Sequence, residues 1–246
     1  MVTLPSSHSP TLNPLYRQVI GLVMRSLESG EWKPGEVIPS ETLLAARYGV
    51  SQGTVRKAID ELAAEHLLVR RQGKGTFVAT HADPRIFSRF LRVAANDGDL
   101  QPLRSEPLGC WRVKAGSDIC HALNVEEGAS VMLVRRVVLS GEMPAIFDEV
   151  YLAADFFADL TQETLLAGDV SLYGLYESQF GVRVIRAEER VRAILADPVS
   201  ARFLQVAEGE PLLLVERTTF SYSDRPVEFR RSIFSTRHLH YRNELV

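Results

Sequence analysis

Pro39-Ser40-Glu41-Thr42-Leu43-Leu44-Ala45-Ala46-Arg47-Tyr48-Gly49-Val50-Ser51-Gln52-Gly53-Thr54-Val55-Arg56-Lys57-Ala58-Ile59-Asp60-Glu61-Leu62, closed a few residues later by Arg70-Arg71-Gln72-Gly73-Lys74-Gly75-Thr76-Phe77-Val78, is the stretch that decides the fold. The first part predicts two short helices joined by a tight turn. Ser40 is placed to cap the first, with Leu43, Leu44 and Ala46 facing inward. Gly49 is placed to end it, because glycine enters the left-handed region at little cost. Ser51 caps the next helix, whose apolar stripe is Val55, Ala58, Ile59 and Leu62. The second part predicts a hairpin: Leu67–Arg71 and Thr76–Val78 as strands around a Gln72-Gly73-Lys74-Gly75 tip.

Upstream, Asn13-Pro14 reads as an N-cap followed by proline at the first helical position. Leu15, Val19, Leu22, Val23 and Leu27 then recur at helical spacing up to Gly30, and Pro34-Gly35 marks a turn. Three helices and a basic hairpin make a winged helix-turn-helix. Charge agrees with that reading once it is resolved along the chain. The 246 residues carry a net charge of −3, yet residues 1–80 hold nine Lys/Arg against seven Asp/Glu, and residues 47–78 hold six against three. A small basic module on an acidic body suits nucleic acid better than the whole-chain charge does.

The polar face of the 51–62 helix carries the chemistry. Gln52, Thr54, Arg56 and Lys57 lie in or near its first two turns, the part of a recognition helix that enters the major groove. Glutamine can read adenine bidentately, and arginine can read guanine or hold phosphate. Gly53 would allow close backbone approach, and Lys74 at the hairpin tip can neutralise a phosphate or enter a minor groove. A solvated helix face is the bland alternative for any one of these residues. The spacing from Ser40 through Gly49 to Ser51 argues against it.

Pro39-Ser40-Glu41, Gly49-Val50-Ser51, Thr54-Val55-Arg56 and Gln72–Val78 together resemble the N-terminal domain of GntR-type bacterial transcription regulators, over about 12–80. The resemblance implies DNA contacts at Thr42, Gln52, Arg56 and Gly73. Many members have arginine where Thr42 and Gln52 stand, which implies a different operator sequence here. The candidate DNA-binding set is Ser40, Thr42, Ser51, Gln52, Gly53, Thr54, Arg56, Lys57, Gly73 and Lys74.

Ala79–Arg85 is short and polar with one proline, and reads as a linker. Beyond it, Gly109–Lys114, Val131–Leu139, Ala145–Leu152 and Val182–Leu195 predict strands. Asp155–Leu166, Leu172–Phe180 and Asp197–Val206 predict helices. Leu212–Tyr222 and Val227–Phe234 form a hairpin around Ser223–Pro226. Arg136, Gly141–Pro144, Tyr151-Leu152, Ser171-Leu172-Tyr173, Gly209–Leu213 and Arg225–Glu228 follow in an order that resembles the UTRA effector-binding domain of the HutC subfamily of these regulators. The fold class expected is α+β: a winged helix at 12–78, a linker at 79–85, and at 86–246 an antiparallel sheet with flanking helices similar to chorismate lyase.

That resemblance implies a small-molecule effector in a pocket on the sheet, with Arg136, Asp148, Tyr173 and Glu228 as candidate effector-binding residues. A charge on an apolar strand needs a partner if it points inward. Arg136 with Asp148 or Glu228 could satisfy one another, as a structural ion pair or as part of a binding site; Tyr173 could close the pocket or sit in the core. Val138 stands where relatives carry a second arginine, which disfavours a phosphosugar.

His238-x-His240 lacks a third ligand nearby, and Glu188-Glu189 reads as a solvated edge, so neither a metal site nor acid-base catalysis is expected. No cofactor fingerprint occurs. Two cysteines without a CxxC pair, and no apolar run of ~18–20 residues, point to a cytoplasmic protein without a membrane span. The function expected is a homodimeric, metabolite-responsive regulator, most simply a repressor, on a palindromic double-stranded operator. The alternative is a chorismate-lyase-like enzyme with an accessory DNA-binding module.

Overall fold

The computed structural model describes residues 13–83, 90, 92–166 and 171–243. Leu12, Pro84, Arg85 and the residues from 244 on, which fall within the expected domain and linker ranges, lie outside the described residues. The chain divides into two compact units between Ala79 and Thr80.

The first unit contains α1 (Leu15–Glu28), α2 (Glu41–Tyr48), α3 (Gln52–Ala64), β1 (Leu68–Arg71) and β2 (Gly75–Val78). Its caps lie where the serines place them. The Ser40 hydroxyl accepts the Leu43 N–H, the Ser51 hydroxyl accepts that of Thr54, and Gly49 is left-handed at φ 65°. Val19, Val23 and Leu27 of α1 pack with the α3 stripe Val55, Ala58, Ile59 and Leu62, all buried. Leu44 completes this core. Leu43 is 64% exposed and Ala46 is exposed as well, contrary to the inward placement expected of them. An eight-residue helix presents one narrow face to its neighbour, and Leu44 occupies it. Pro14 is itself the cap rather than the first helical residue. It stays extended (φ −50°, ψ 144°), and its carbonyl accepts the Arg17 and Gln18 N–H groups. β1 and β2 pair antiparallel from Leu68↔Val78 to Arg71↔Gly75. After the turn expected at Pro34-Gly35, residues 36–38 continue along the outer edge of β2: Ile38 N–H bonds Thr76 O at 2.9 Å and Val78 N–H bonds Glu36 O at 2.8 Å. This third edge braces the wing.

The second unit is built on a six-stranded antiparallel sheet of β4 (Leu103–Lys114), β5 (Ser130–Ser140), β6 (Met143–Ala153), β7 (Arg186–Leu195), β8 (Pro211–Phe220) and β9 (Pro226–Phe234), in the order β4-β5-β6-β9-β8-β7. The helices are α4 (Ser117–Leu123), α5 (Ala154–Phe157), α6 (Gln162–Leu166), α7 (Leu172–Phe180) and α8 (Pro198–Leu204). A separate two-stranded ladder joins β3 (Val93–Ala95) to β10 (Leu239–Tyr241). Side chains alternate between the two sheet faces. One face places Met132, Val134, Val150, Leu152 and Val227 against Phe157, Tyr176 and Leu175 at one end. At its other end Val138, Ile146, Val215 and Phe234 meet Leu239. The opposite face is covered by α4 through Ile119 and Leu123, and by α8 through Ala201 and Leu204.

Several elements depart from the sequence reading. Asp155–Leu166 is two short helices, because Thr161 accepts the Thr164 N–H and begins a new one. β7 starts at Arg186: Gly181 turns left-handed after α7, and the Val182 N–H closes back on Tyr176 O at 3.0 Å. α4, β3, β10 and the first half of β4 were not anticipated. Ala79 is buried and bonds Leu67 O, whereas Thr80 and His81 belong to the second unit and are anchored on Glu177 of α7. The two cysteines are free. Among the described residues, no helix is long and apolar enough to cross a membrane.

Candidate nucleic-acid interface and ligand cavity

The first unit concentrates exposed polar groups at the start of α2, the start of α3 and the wing. Between them lies a groove of about 600 Å³, lined by Pro39–Thr42, Gln52 and Arg70–Thr76. A helix N-terminus and a glycine-rich turn both present backbone N–H groups, which suits an anionic partner. Thr42, Gln52, Gly53, Arg56 and Lys57 are exposed around it or on the adjoining α3 face. A side chain at Gly53 would meet only the Ser51 hydroxyl, at 3.8 Å, so packing does not require glycine there. Gly73 has φ 70° and Gly75 φ 107°, so the wing turn does require glycine. Lys74 is exposed at its tip.

Some of the candidate residues already have local partners. The hydroxyls of Ser40, Ser51 and Thr54 are held in caps. The Lys57 ammonium sits 3.9 Å from the centre of the Tyr16 ring, and so turns toward α1. Glu41, absent from the sequence-derived set, gathers the polar face. Its Oε2 accepts from Arg56 Nε at 2.9 Å and Gln52 Nε2 at 3.3 Å, and its Oε1 accepts from Arg70 at 3.0 Å. Burial pushes the Glu41 carboxyl up, but these hydrogen bonds outweigh it and hold the group below its ordinary value.

The second unit holds a cavity of about 610 Å³ on the sheet face between the two apolar clusters. Its floor is two adjacent cross-strand rows. One runs Arg136↔Asp148↔Ser232 across β5, β6 and β9; the next runs Glu189↔Arg217↔Arg230 across β7, β8 and β9. Arg136 donates to Asp148 from Nε and Nη2, both at 2.7 Å, and the Ser232 hydroxyl donates to the other Asp148 oxygen at 2.5 Å. Arg217 bonds Glu189 at 2.6 Å, Phe90 O at 2.7 Å and the Tyr173 hydroxyl at 3.3 Å. His81, Phe90 and Tyr173 form an aromatic wall, with ring centres 5.3–5.8 Å apart. Arg92 and Arg104 also line the space.

Of the four candidate effector residues, three line this cavity: Arg136, Asp148 and Tyr173. Glu228 is fully buried one row behind it. There it pairs with Arg230 at 2.8 Å and accepts from Tyr176 at 2.7 Å and Tyr173 at 3.3 Å. The register decides between the two pairings left open for Arg136. β5 adjoins β6, whereas β9 is two strands away, at a spacing of ~4.8 Å per strand. Burial drives the Asp148 carboxyl up, but the Arg136 and Arg230 charges and the Ser232 hydrogen bond win and lower it. Burial and then the Glu228 charge raise the Tyr173 and Tyr176 hydroxyls, which stay protonated donors. Glu189 is the inward partner of Arg217 rather than part of a solvated edge; Glu188 is the exposed neighbour. His240 bonds Asn96, and among the described residues no group of three or more potential ligands could hold a metal.

Arg217 and Arg230 escaped the sequence reading. Both lie on strands with apolar residues on either face, so alternation does not reveal which charges point inward. The Arg230 Nε is buried and has no hydrogen-bond partner among the described residues, which leaves a donor at the cavity floor. Five arginines and one aspartate line a space backed by two further carboxylates, those of Glu189 and Glu228. Such a site favours a small anion with a flat or apolar part.

Comparisons with known proteins agree with this division. Residues 15–78 match the model of bacterial regulatory proteins of the gntR family, and residues 101–240 match the UTRA domain. The chain is similar to the histidine utilization repressor of Pseudomonas putida, 34% identical over 230 residues that span 89% of this chain and 87% of that protein. It is 29% identical to a probable fructoselysine utilization operon transcriptional repressor of Escherichia coli K12, over 87% of each. Among solved structures, the ligand-binding domain of a GntR-family regulator from Bordetella bronchiseptica is 42% identical with a TM-score of 0.62. The match covers 64% of this chain and 98% of that one.

Proposed function

We propose that this chain, which belongs to the gntR family of bacterial regulatory proteins and carries a UTRA domain, is a cytoplasmic repressor that binds a palindromic operator as a homodimer and releases it when a small anion fills the sheet cavity. The family places it among DNA-binding transcription regulators and not among enzymes. The observation that carries the finer reading is the pairing of two sites on one chain. An exposed Gln52-Arg56 face beside a Lys74 wing fits a duplex, and an arginine-floored cavity fits a metabolite.

The reading of the duplex follows from geometry. Gln52 and Arg56 are spaced one turn apart on α3, and Lys74 extends the contact to phosphates. Two copies related by a twofold axis would present two such helices to two half-sites. In the cavity, Arg136, Arg217 and Arg230 would hold a carboxylate, and the His81, Phe90 and Tyr173 rings would hold a flat body. The relatives named for histidine utilization make histidine and carboxylates derived from it the first ligands to test. His81 and Ala82 line the cavity and stand just after Thr80, the first residue past the end of the first unit at Ala79. A ligand that engages them in one arrangement only would shift the equilibrium between DNA-competent and incompetent states.

A thermal-shift screen of small carboxylates against the full chain tests the cavity. A ligand present at ~100 times its Kd adds about 2.7 kcal/mol to native-state stability. A bound carboxylate that raises the melting temperature of the wild type and not of Arg136→Ala supports the assignment. An equal rise in both contradicts it.

A further inference from the structure

Glu41 is the first residue of α2 and only 14% of its side chain is exposed. Its two oxygens are divided between two tasks. Oε1 takes Arg70 of β1, whose other terminal nitrogen bonds Asp60 of α3 at 2.7 Å, so this side ties the wing to the helices. Oε2 takes two exposed α3 side chains, Arg56 and the groove-lining Gln52. We propose that Glu41 is a specificity-determining positioning residue, which holds Arg56 and Gln52 in the rotamers that read bases.

The atoms involved support this. Arg56 is bonded through Nε alone, which leaves the Nη1 and Nη2 fork free, and its side chain is 58% exposed. That fork is the part of arginine that matches guanine O6 and N7. Without a partner, a long exposed arginine samples many rotamers, and ordering it on binding is costly. A fixed carboxylate removes that cost before the duplex arrives. Gln52 gives one amide hydrogen to Glu41 and keeps its carbonyl oxygen and second hydrogen, the pair that complements adenine N6 and N7. The carboxylate also places a negative charge beside the recognition face. It therefore weakens indiscriminate attraction to phosphates while favouring the oriented contact, which widens the gap between right and wrong sequences.

This inference rests on the proposed reading of α3 as the recognition helix. The test uses the full chain and a duplex enriched by the wild type from a random-sequence pool, with a shuffled duplex as control. Affinity for each is measured by fluorescence anisotropy at several salt concentrations. Glu41→Gln is expected to lower affinity for the enriched duplex roughly 10- to 100-fold, the range set by a good bidentate base contact. Affinity for the shuffled duplex should stay level or rise. In an Arg56→Ala background the same change should cost clearly less than in the wild type, since only the Gln52 contact is left for Glu41 to support. Arg56→Lys, which cannot be held at Nε and still offer a fork, should lose as much on the enriched duplex as Arg56→Ala does. It keeps this test independent of whether Glu41→Gln folds.

Equal losses on both duplexes would make Glu41 merely structural and overturn the proposal. So would an unchanged ratio of the two affinities, or a full additive loss in the Arg56→Ala background. A wild-type chain that enriches no sequence at all would instead refute the recognition-helix reading itself.

Discussion

Replacing Asp148 by asparagine probes the cavity floor most sharply. The Asp148 side chain is 2% exposed, takes two hydrogen bonds from Arg136 and one from Ser232, and lies 3.9 Å from Arg230. Asparagine preserves the shape and one acceptor but removes the charge, so Arg136 and Arg230 lose their shared counterion. Breaking a buried pair from one side costs about 3–5 kcal/mol, because the surviving charge stays buried without compensation. For a unit of this size each kcal/mol moves the melting temperature by ~2–4 °C, so the second unit should melt roughly 6–20 °C lower. The wild-type advantage has a defined pH window. The folded Asp148 carboxyl is lowered, so its contribution is complete above the unfolded value of ~3.9 and is lost as pH falls through the folded one. The difference between wild type and Asp148→Asn should therefore be constant from pH 7 to about 5 and shrink below about 4. Added sulfate should recover more stability in the variant, whose cavity carries one more uncompensated positive charge. Calorimetry at about pH 7 and about pH 3.5, with and without sulfate, measures all three effects. A shift below ~2 °C at neutral pH would mean that the pair adds nothing to the fold.

Arg56→Ala should abolish preference for the enriched duplex while leaving the melting temperature of the second unit unchanged, read by anisotropy and calorimetry. Lys74→Ala should weaken binding to enriched and shuffled duplexes alike and reduce the logarithmic salt slope by about 1; an unchanged slope removes this lysine from the phosphates. Gly49→Ala should destabilise the first unit by ~1–2 kcal/mol, since alanine must hold φ 65° at the end of α2, and urea denaturation of the full chain would show the loss in one of two steps.

How far each unit could be read from its residues depends on whether its contacts are local. Ser40, Gly49 and Ser51 set helix ends through bonds to neighbours three or four residues away, so both ends of α2 and the start of α3 were legible to the residue. Leu43 was not, because an eight-residue helix offers too few turns for periodicity to settle its buried side. In the second unit the strands β5 and β6 stand out as apolar runs, but the cavity is made by pairing between strands far apart in sequence. Arg136 faces Asp148 because β5 lies beside β6, and the same sheet order moves Glu228 out of reach. Arg230 and Arg231 are adjacent in sequence and point to opposite faces, Arg230 to the cavity floor and Arg231 to Asp118 and Glu216 on the other side. With apolar residues on both faces of β9, no alternation distinguishes them. The order of landmarks that resembles UTRA domains carried the fold, and it could not carry the pairing.

The central claim is that the sheet cavity controls the recognition helix. Its most direct test is the affinity of the full chain for its enriched duplex, measured with and without the carboxylate that most raises its melting temperature. That ligand should weaken duplex binding at least about tenfold, a coupling of ~1.4 kcal/mol, and should have no such effect in Arg136→Ala. A ligand that binds the cavity and leaves duplex affinity unchanged would contradict the claim.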